Sequence, residues 1–241
     1  MKSCIKVLGS GSSGNCIVVF DSRGKSIIID LGVKFKNVLK VLDYDISGCV
    51  GALVSHVHSD HSKYIDECIG HGINVYANEE VCKKYPKCNA IECMNVGNLD
   101  GFAVRTFGVS HNVENNAFVI DTCDGIRLLY ITDAMNIHFK VRNVNYAIIE
   151  CNHEYEFMID NTFDAFDEVK SQYYNHLSLD DCIDYLKAIY NPELQGVILW
   201  HMSSKNIDDV KARKKVIDEI SFKDVYIGKR GLEIPIMKEE F

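Results

Sequence analysis

Several functions are excluded by what this sequence lacks. No apolar run approaches the ~20 residues needed to cross a membrane, and the start, Met1 to Val7, passes straight into a strand pattern without a signal-peptide hydrophobic region. A cytosolic protein is the expectation. Only three prolines, no internal repeat and no low-complexity stretch leave no sign of a linker between parts. Cysteine is plentiful, ten in all, but no two form a C-x-x-C pair, so a zinc ribbon or a thioredoxin-like motif is unsupported. Scattered from Cys4 to Cys182, they read as reduced core residues. Cys82, Cys88 and Cys93 alone lie close enough together to suggest a structural metal cluster. Positive charge is in deficit: 26 Lys and Arg against 34 Asp and Glu give a formal net charge of -8. That balance argues against wholesale charge-driven binding to nucleic acid or anionic membrane. It leaves room for a local cationic site, because a metal pair would add about four positive charges that a residue count does not see.

What is present supports one α/β domain spanning residues 1–241, with 47% hydrophobic residues to fill its core. Strand patterns run over Ile5 to Leu8, Cys16 to Phe20, Ser26 to Asp30, Val50 to Ser55 and Asn74 to Ala77. They continue over Ala103 to Phe107, Ala117 to Asp121, Arg127 to Ile131, Tyr146 to Glu150 and Gly196 to Trp200. Helical spacing appears from Val33 to Leu42, His61 to Gly70, Asn78 to Lys84, Ser178 to Tyr190 and Ile207 to Ile220. Ser178 has the form of a helix cap, with Asp181 placed to reciprocate. Hairpins cluster early and strands alternate with helices later. The Gly9 to Gly14 loop is not followed by the Lys-Ser/Thr of a P-loop, so it reads as a tight turn between strands, at the rim of a site.

The decisive segment is His56-Val57-His58-Ser59-Asp60-His61, directly after an apolar strand. Neither packing nor capping calls for three imidazoles and a carboxylate within six residues. In an extended segment His56 and His58 point the same way and can grip one ion; Asp60 and His61, on the turn into a helix, can grip a second. A catalytic zinc takes about three protein ligands and leaves a place for water, so partners are needed from elsewhere. His111, Asp133 and His201 each stand just past an apolar strand, where loops gather. Alone, each would be read as a turn or surface residue; beside the histidine-rich run they become ligand candidates.

These seven residues, in order, resemble the signature of the metallo-β-lactamase superfamily, and the resemblance spans nearly the whole chain. The segments Gly9 to Asn15, Glu150 to His153 and Asn175 to Ser178 resemble a narrower branch, the YycJ-type (WalJ-type) hydrolases. That branch is described as exonuclease-like and is related to ribonuclease Z and the PhnP phosphodiesterase. The resemblance implies a four-layer αββα sandwich with two divalent metal ions at one sheet edge. Zinc is the first choice, with manganese or iron also suited to such donors. One ion would take His56, His58 and His111, the other Asp60, His61 and His201, with Asp133 between them. A water shared by the ions, its pKa lowered towards about 7, would be the nucleophile. Asp30 resembles a buried carboxylate that orients a ligand imidazole; the other reading is a turn residue. For protonation of the leaving group the candidates are His153 and His176, each otherwise an exposed loop histidine. His176 is favoured because the capped helix start at Ser178 would turn N–H groups and dipole towards an anion. Ser12 and Asn15 are candidates for substrate contact. His71 and His138 are assigned no role.

A dinuclear centre suits phosphodiester displacement, so the first reading is a phosphodiesterase or exonuclease acting on nucleic acid ends or small nucleotides. The acidic balance and the lack of a basic stretch favour a small or single-stranded substrate over long duplex; Lys211, Arg213, Lys214 and Lys215 read as a solvated helix face. The alternatives are hydrolysis of a lactone, thioester or β-lactam at the same centre, and a metal-binding regulatory module without hydrolysis.

Overall fold

Turn chemistry near the start folds the first three strands back on one another. In the computed structural model, which describes residues 3–92, 94, 96–155 and 175–237, β1 (Cys4–Gly9) pairs antiparallel with β2 (Cys16–Phe20), and β2 with β3 (Ser26–Ile29). The Asp21 carboxylate organises the second turn by accepting from the backbone N–H groups of Arg23 and Lys25 at 3.0 and 2.9 Å. Helix α1 (Phe35–Val41) then carries the chain to β4 (Cys49–Val54), parallel to β3. Beyond it come the short helices α2 (Ser59–Ser62) and α3 (Ile65–Gly70), β5 (Val75–Ala77), α4 (Glu79–Lys84) and β6 (Asn89–Ala90).

The second sheet opens with β7 (Val96–Leu99), β8 (Phe102–Val109), β9 (Asn115–Asp121) and β10 (Arg127–Ile131), all antiparallel neighbours. It continues in parallel through β11 (Tyr146–Glu150), β12 (Gly196–Trp200) and β13 (Val225–Ile227). Helices α5 (Leu179–Ile189) and α6 (Asp209–Ile220) precede β12 and β13. A last strand, β14 (Glu233–Pro235), returns to pair with β1, so the sheet orders are β14-β1-β2-β3-β4-β5-β6 and β13-β12-β11-β10-β9-β8-β7.

Apolar residues on both faces of each sheet dictate four layers. Ile5, Ile17 and Ile29 of the first sheet meet Phe118, Ile148 and Trp200 of the second in a core between the sheets. Phe35, Ile65 and Val81, from α1, α3 and α4, cover the outer face of the first sheet. Leu186 and Val216, from α5 and α6, cover that of the second. This is the expected αββα sandwich. The nine described cysteines are all free, and five of them are buried. Cys93 lies outside the described residues, so the Cys82–Cys88–Cys93 cluster is tested only as far as Cys82 and Cys88. Among the described residues no helix is long and apolar enough to cross a membrane.

One element departs from expectation in a way that shapes the site. The helix expected over His61 to Gly70 is broken in two between Ser62 and Ile65. Its carbonyls are taken by outside donors: Asp60 O accepts from Asn15 N at 2.7 Å and His61 O from Leu31 N at 2.7 Å. Tyr64 N in turn donates to Leu31 O at 2.9 Å, not to a carbonyl one turn back. Continuing the helix would require those same carbonyls. The cost of the break ties the Asp60–His61 turn to the loop after β3.

Candidate metal centre

Strands β3, β10 and β12 end in the same unusual way. Asp30, Asp133 and His201, each the first or second residue beyond its strand, have φ of 59°, 49° and 50°. Left-handed backbone is costly for a residue with a Cβ, and Asp and His are among the side chains that tolerate it best. It turns three polar side chains from the sheet ends into one space, opposite the His56–His61 segment after β4.

Of three groups of donor atoms that form there, each with its atoms within 4.8 Å of one another, two hold the ligands expected from the sequence: His56, His58, His111 and Asp133, and Asp60, His61, Asp133 and His201; the third is Asp133, Glu150, His176 and His201. In the first, His56 Nε2 lies 3.1 Å and His111 Nε2 3.3 Å from His58 Nδ1. Asp133 Oδ2 stands 3.6 Å from His56 Nε2 and 3.9 Å from His111 Nε2. In the second, Asp60 Oδ2 is 3.4 Å from His61 Nε2 and 3.5 Å from His201 Nε2. Asp133 Oδ1 is 3.5 and 3.6 Å from the same two nitrogens. Ligands about 2.0–2.1 Å from a tetrahedral ion stand about 3.3 Å apart, which is the spacing found along both groups. His201 Nε2 is buried without a hydrogen-bond partner, as a ligand atom would be. Asp133 turns one oxygen to each group.

Charge makes the same demand. Asp30, Asp133 and Glu150 are at most 2% exposed, and Asp60 keeps only 20% of its side chain accessible. Among the described residues their ion-pair partners are all histidines, never lysine or arginine. Four carboxylates so placed would be costly to desolvate without compensating positive charge; two divalent cations carry that amount. The imidazoles respond to the same field. Burial pushes His61 and His201 down, but Asp133 with Asp30, and Asp133 with Asp60 and Glu150, overcome it, and His201 rises to about 10. His56 is held well below the usual range by burial and the His61 ring, and His111 below it by burial. In both, burial favours the neutral form, the form that ligates.

Hydrogen bonds behind two of the candidate ligands, His61 and His111, fix which nitrogen each presents. Asp30 accepts from His61 Nδ1 at 2.7 Å and is itself held by Ser55 N at 2.8 Å and the buried Tyr130 hydroxyl at 2.6 Å. His111 Nδ1 donates to Asn175 O at 3.0 Å. In both rings Nε2 is left facing the centre. The glycine-serine loop contributes from behind. Asn15 is fully buried, held by Gly11 N at 2.8 Å, with its amide nitrogen 3.3 Å from Asp60 Oδ2 and 2.9 Å from His61 Nε2. Asn15, expected at the substrate, thus stands behind Asp60 and His61 with no exposed surface. Ser12 remains exposed, on the wall of a cavity that begins at Asp60. Gly32 makes the close approach of Asp60 possible, because a Cβ there would stand 1.6 Å from Asp60 O.

The sequence reading missed Glu150. It ends β11 fully buried, and its Oε1 accepts from His176 Nδ1 at 2.6 Å and lies 3.3 Å from His201 Nδ1. Its Oε2 accepts from the backbone N–H groups of Ala134 at 2.7 Å and Leu177 at 3.1 Å. One carboxylate thus joins the loops after β10 and β12 to the segment before α5. The His176 ring stacks on His201 at 5.2 Å and lies 5.8 Å from His111. Burial lowers its pKa, but the charge and hydrogen bond of Glu150 prevail and raise it. His153 is 1% exposed, held below its usual range by burial, and belongs to none of the donor groups. The cap at Ser178 is present: Asp181 N donates to Ser178 Oγ at 3.1 Å. The argument from it for His176 needs correcting, however, because Asp180 and Asp181 already place two carboxylates in that first turn and leave no demand for a further anion. His71 contacts Glu67 O and the Phe35 ring, and His138 makes a long contact to Ser110 Oγ; neither belongs to a donor group.

No family model matches the chain. It is 26% identical over 248 residues to exodeoxyribonuclease YycJ of Bacillus anthracis, covering 92% of this chain and 90% of that protein. The crystal structure of the metallo-β-lactamase fold protein YhfI of Bacillus subtilis superposes with a TM-score of 0.77 at 16% identity, covering 97% of this chain and all of that one. A diphosphatase of the PhnP family superposes with a TM-score of 0.69 at 16% identity, covering 97% of each chain. The chain has the metallo-β-lactamase fold.

Proposed function

We propose that this chain is a dinuclear metal-dependent hydrolase that cleaves phosphodiester bonds at nucleic acid ends or in small nucleotides. The observation that carries the reading is Asp133, which turns Oδ1 to one donor group and Oδ2 to the other. His56, His58 and His111 would hold one cation and Asp60, His61 and His201 the second. The N/O donor set suits zinc first, and manganese or iron as well. When bound, such a pair supplies Lewis acidity and acidifies water towards neutral pH.

The chain's own residues do the rest. Asp30 keeps His61 Nε2 aimed at the centre through the 2.7 Å bond to Nδ1. With Nδ1 committed to Glu150, His176 has Nε2 free to hold a proton near both donor groups, the position of a general acid for the leaving oxygen. Glu150 sets the tautomer of that ring and steadies His201 beside it. His153 is too buried to compete for the role. The names of the relatives, an exodeoxyribonuclease and a diphosphatase, support hydrolysis at phosphorus over the hydrolysis of lactones, thioesters or β-lactams.

The test is turnover of bis(p-nitrophenyl) phosphate, an aryl ester and a lactone by protein of defined metal content, with Asp60→Ala alongside. The phosphodiester should be preferred, and Asp60→Ala should lose orders of magnitude in turnover while remaining folded, because the bond from Asn15 N is made to the Asp60 main chain. Preference for the lactone, or a variant within a few-fold of wild type, would overturn the reading.

A further inference from the structure

We propose that a cationic trench opening at Asp60 seats a single nucleic-acid strand several nucleotides long, so that the substrate is polymeric and not a free nucleotide. The inference rests on the hydrolase reading above and narrows its substrate. A cavity of about 1220 Å³ runs from Ser59, Asp60 and Met202 along the glycine-serine loop and α1 to the segment after β13. Sites for small ligands occupy about 300–1,000 Å³. Six basic side chains line the trench: Lys34, Lys36, Lys40, Lys63, Lys229 and Arg230, all exposed. They come from three separate stretches of sequence, which is why no basic run announces them. Phe35 and Val38 anchor the opposite face of α1 in the core, so Lys36 and Lys40, one turn apart, are presented together.

The positive charge is not neutralised locally. Lys34, Lys36, Lys40, Lys63 and Arg230 make no ion pair with a carboxylate among the described residues, whereas Lys229 pairs with Asp209. Of the acidic residues in the wall, Asp60 belongs to the metal centre, Asp209 is spent on Lys229, and Asp208 caps α6 through Val210 N and Lys211 N at 3.1 Å each. In a chain of net charge -8, unpaired cations gathered at the mouth of the site and nowhere answered by acid mark a track for a polyanion. A membrane surface fits poorly, because none of the large exposed apolar side chains lines the trench and interfacial binding needs an apolar face to insert.

Binding is measured by fluorescence anisotropy on the metal-loaded protein, with a labelled, hydrolysis-resistant phosphorothioate single strand of about twelve nucleotides. The triple variant Lys34→Gln, Lys36→Gln, Lys40→Gln should bind about tenfold or more weakly at low salt and lower the slope of log K against log salt by about 2. The triple control Lys83→Gln, Lys87→Gln, Lys214→Gln, three exposed lysines that do not line the trench, should stay within about twofold of wild type. Unchanged affinity and slope in the trench variant would overturn the proposal. So would equal affinity for a duplex of the same length, or for phosphatidylserine vesicles. Wild-type hydrolysis of bis(p-nitrophenyl) phosphate, measured in parallel, separates the two readings. Hydrolysis with an unaffected trench variant refutes the trench alone, whereas no hydrolysis of any phosphodiester refutes the reading beneath it.

Discussion

Glu150→Gln tests the part of the site that sequence reasoning did not reach. The carboxylate accepts three hydrogen bonds, two from backbone N–H groups at 2.7 and 3.1 Å on one oxygen and one from His176 Nδ1 at 2.6 Å on the other, which also lies 3.3 Å from His201 Nδ1. An amide of the same shape has one oxygen and a donor NH2, so on one side the donors must face another donor. If the oxygen stays with the backbone, the NH2 meets His176 Nδ1 and leaves that ring neutral, with its proton on Nε2. A neutral imidazole is a far weaker acid than an imidazolium. Each unsatisfied buried donor costs about 1–3 kcal/mol, which for a chain of this size lowers Tm by about 2–4 °C per kcal/mol. Residues that orient metal ligands typically contribute about 10–100-fold and a general acid about 10²–10⁴-fold. The expected loss in kcat for Glu150→Gln is therefore at least about tenfold. The assay is steady-state hydrolysis of bis(p-nitrophenyl) phosphate, at matched metal content, for Glu150→Gln, His176→Ala and the double variant. Because Glu150 acts largely through His176, the double variant should fall little below His176→Ala. Turnover of Glu150→Gln within a few-fold of wild type, at equal metal content, would refute the reasoning.

Two further outcomes follow from the geometry. Gly32→Ala places a Cβ 1.6 Å from Asp60 O and 2.7 Å from Asn15 N, both main-chain atoms; overpacking of this kind costs about 1–3 kcal/mol. Thermal unfolding and elemental analysis should show a lower Tm together with reduced metal content, and wild-type values for both would contradict the role given to Gly32. Asp121, between β8 and β10, supplies a pH dependence distant from the centre. Burial would raise its pKa, but the hydrogen bond and charge of Arg127, helped by Arg105, lower it. A depressed carboxylate contributes stability above its unfolded pKa of about 3.9 and loses it as pH falls through the folded value. Asp121→Asn should thus cost up to about 1 kcal/mol in denaturant unfolding at neutral pH, and the deficit should vanish in acid. A deficit that persisted or grew on acidification would contradict the assignment.

Both the fold and the clustering of the seven candidate residues were largely legible because their signals are dense. Strands buried on both faces are continuous apolar runs, and every such run expected from the sequence forms a strand here. The four strands not foreseen, β6, β7, β13 and β14, are the four edges of the two sheets. Edge strands are short and need only one paired side, so β7 carries Gly97 and β14 ends on Pro235 without penalty. The break between α2 and α3 was hidden because it depends on Asn15 and Leu31, distant in sequence, claiming the helix's carbonyls. The histidine-rich run declared itself by composition. Glu150 did not, since a single Glu at a strand end is ordinary. Its signals were its place in the Glu150 to His153 segment of the resemblance and its position, a carboxylate closing an apolar strand, as Asp30 does after β3 and Asp133 after β10. The basic trench was invisible because helical spacing and two remote loops assemble it from scattered lysines.

Diffraction from crystals of zinc-loaded protein, collected on both sides of the zinc absorption edge, is the most direct measurement. The account predicts two anomalous peaks about 3.5–4 Å apart, one among His56, His58 and His111, the other among Asp60, His61 and His201, with Asp133 reaching both. A single peak, or none at full loading, would contradict it.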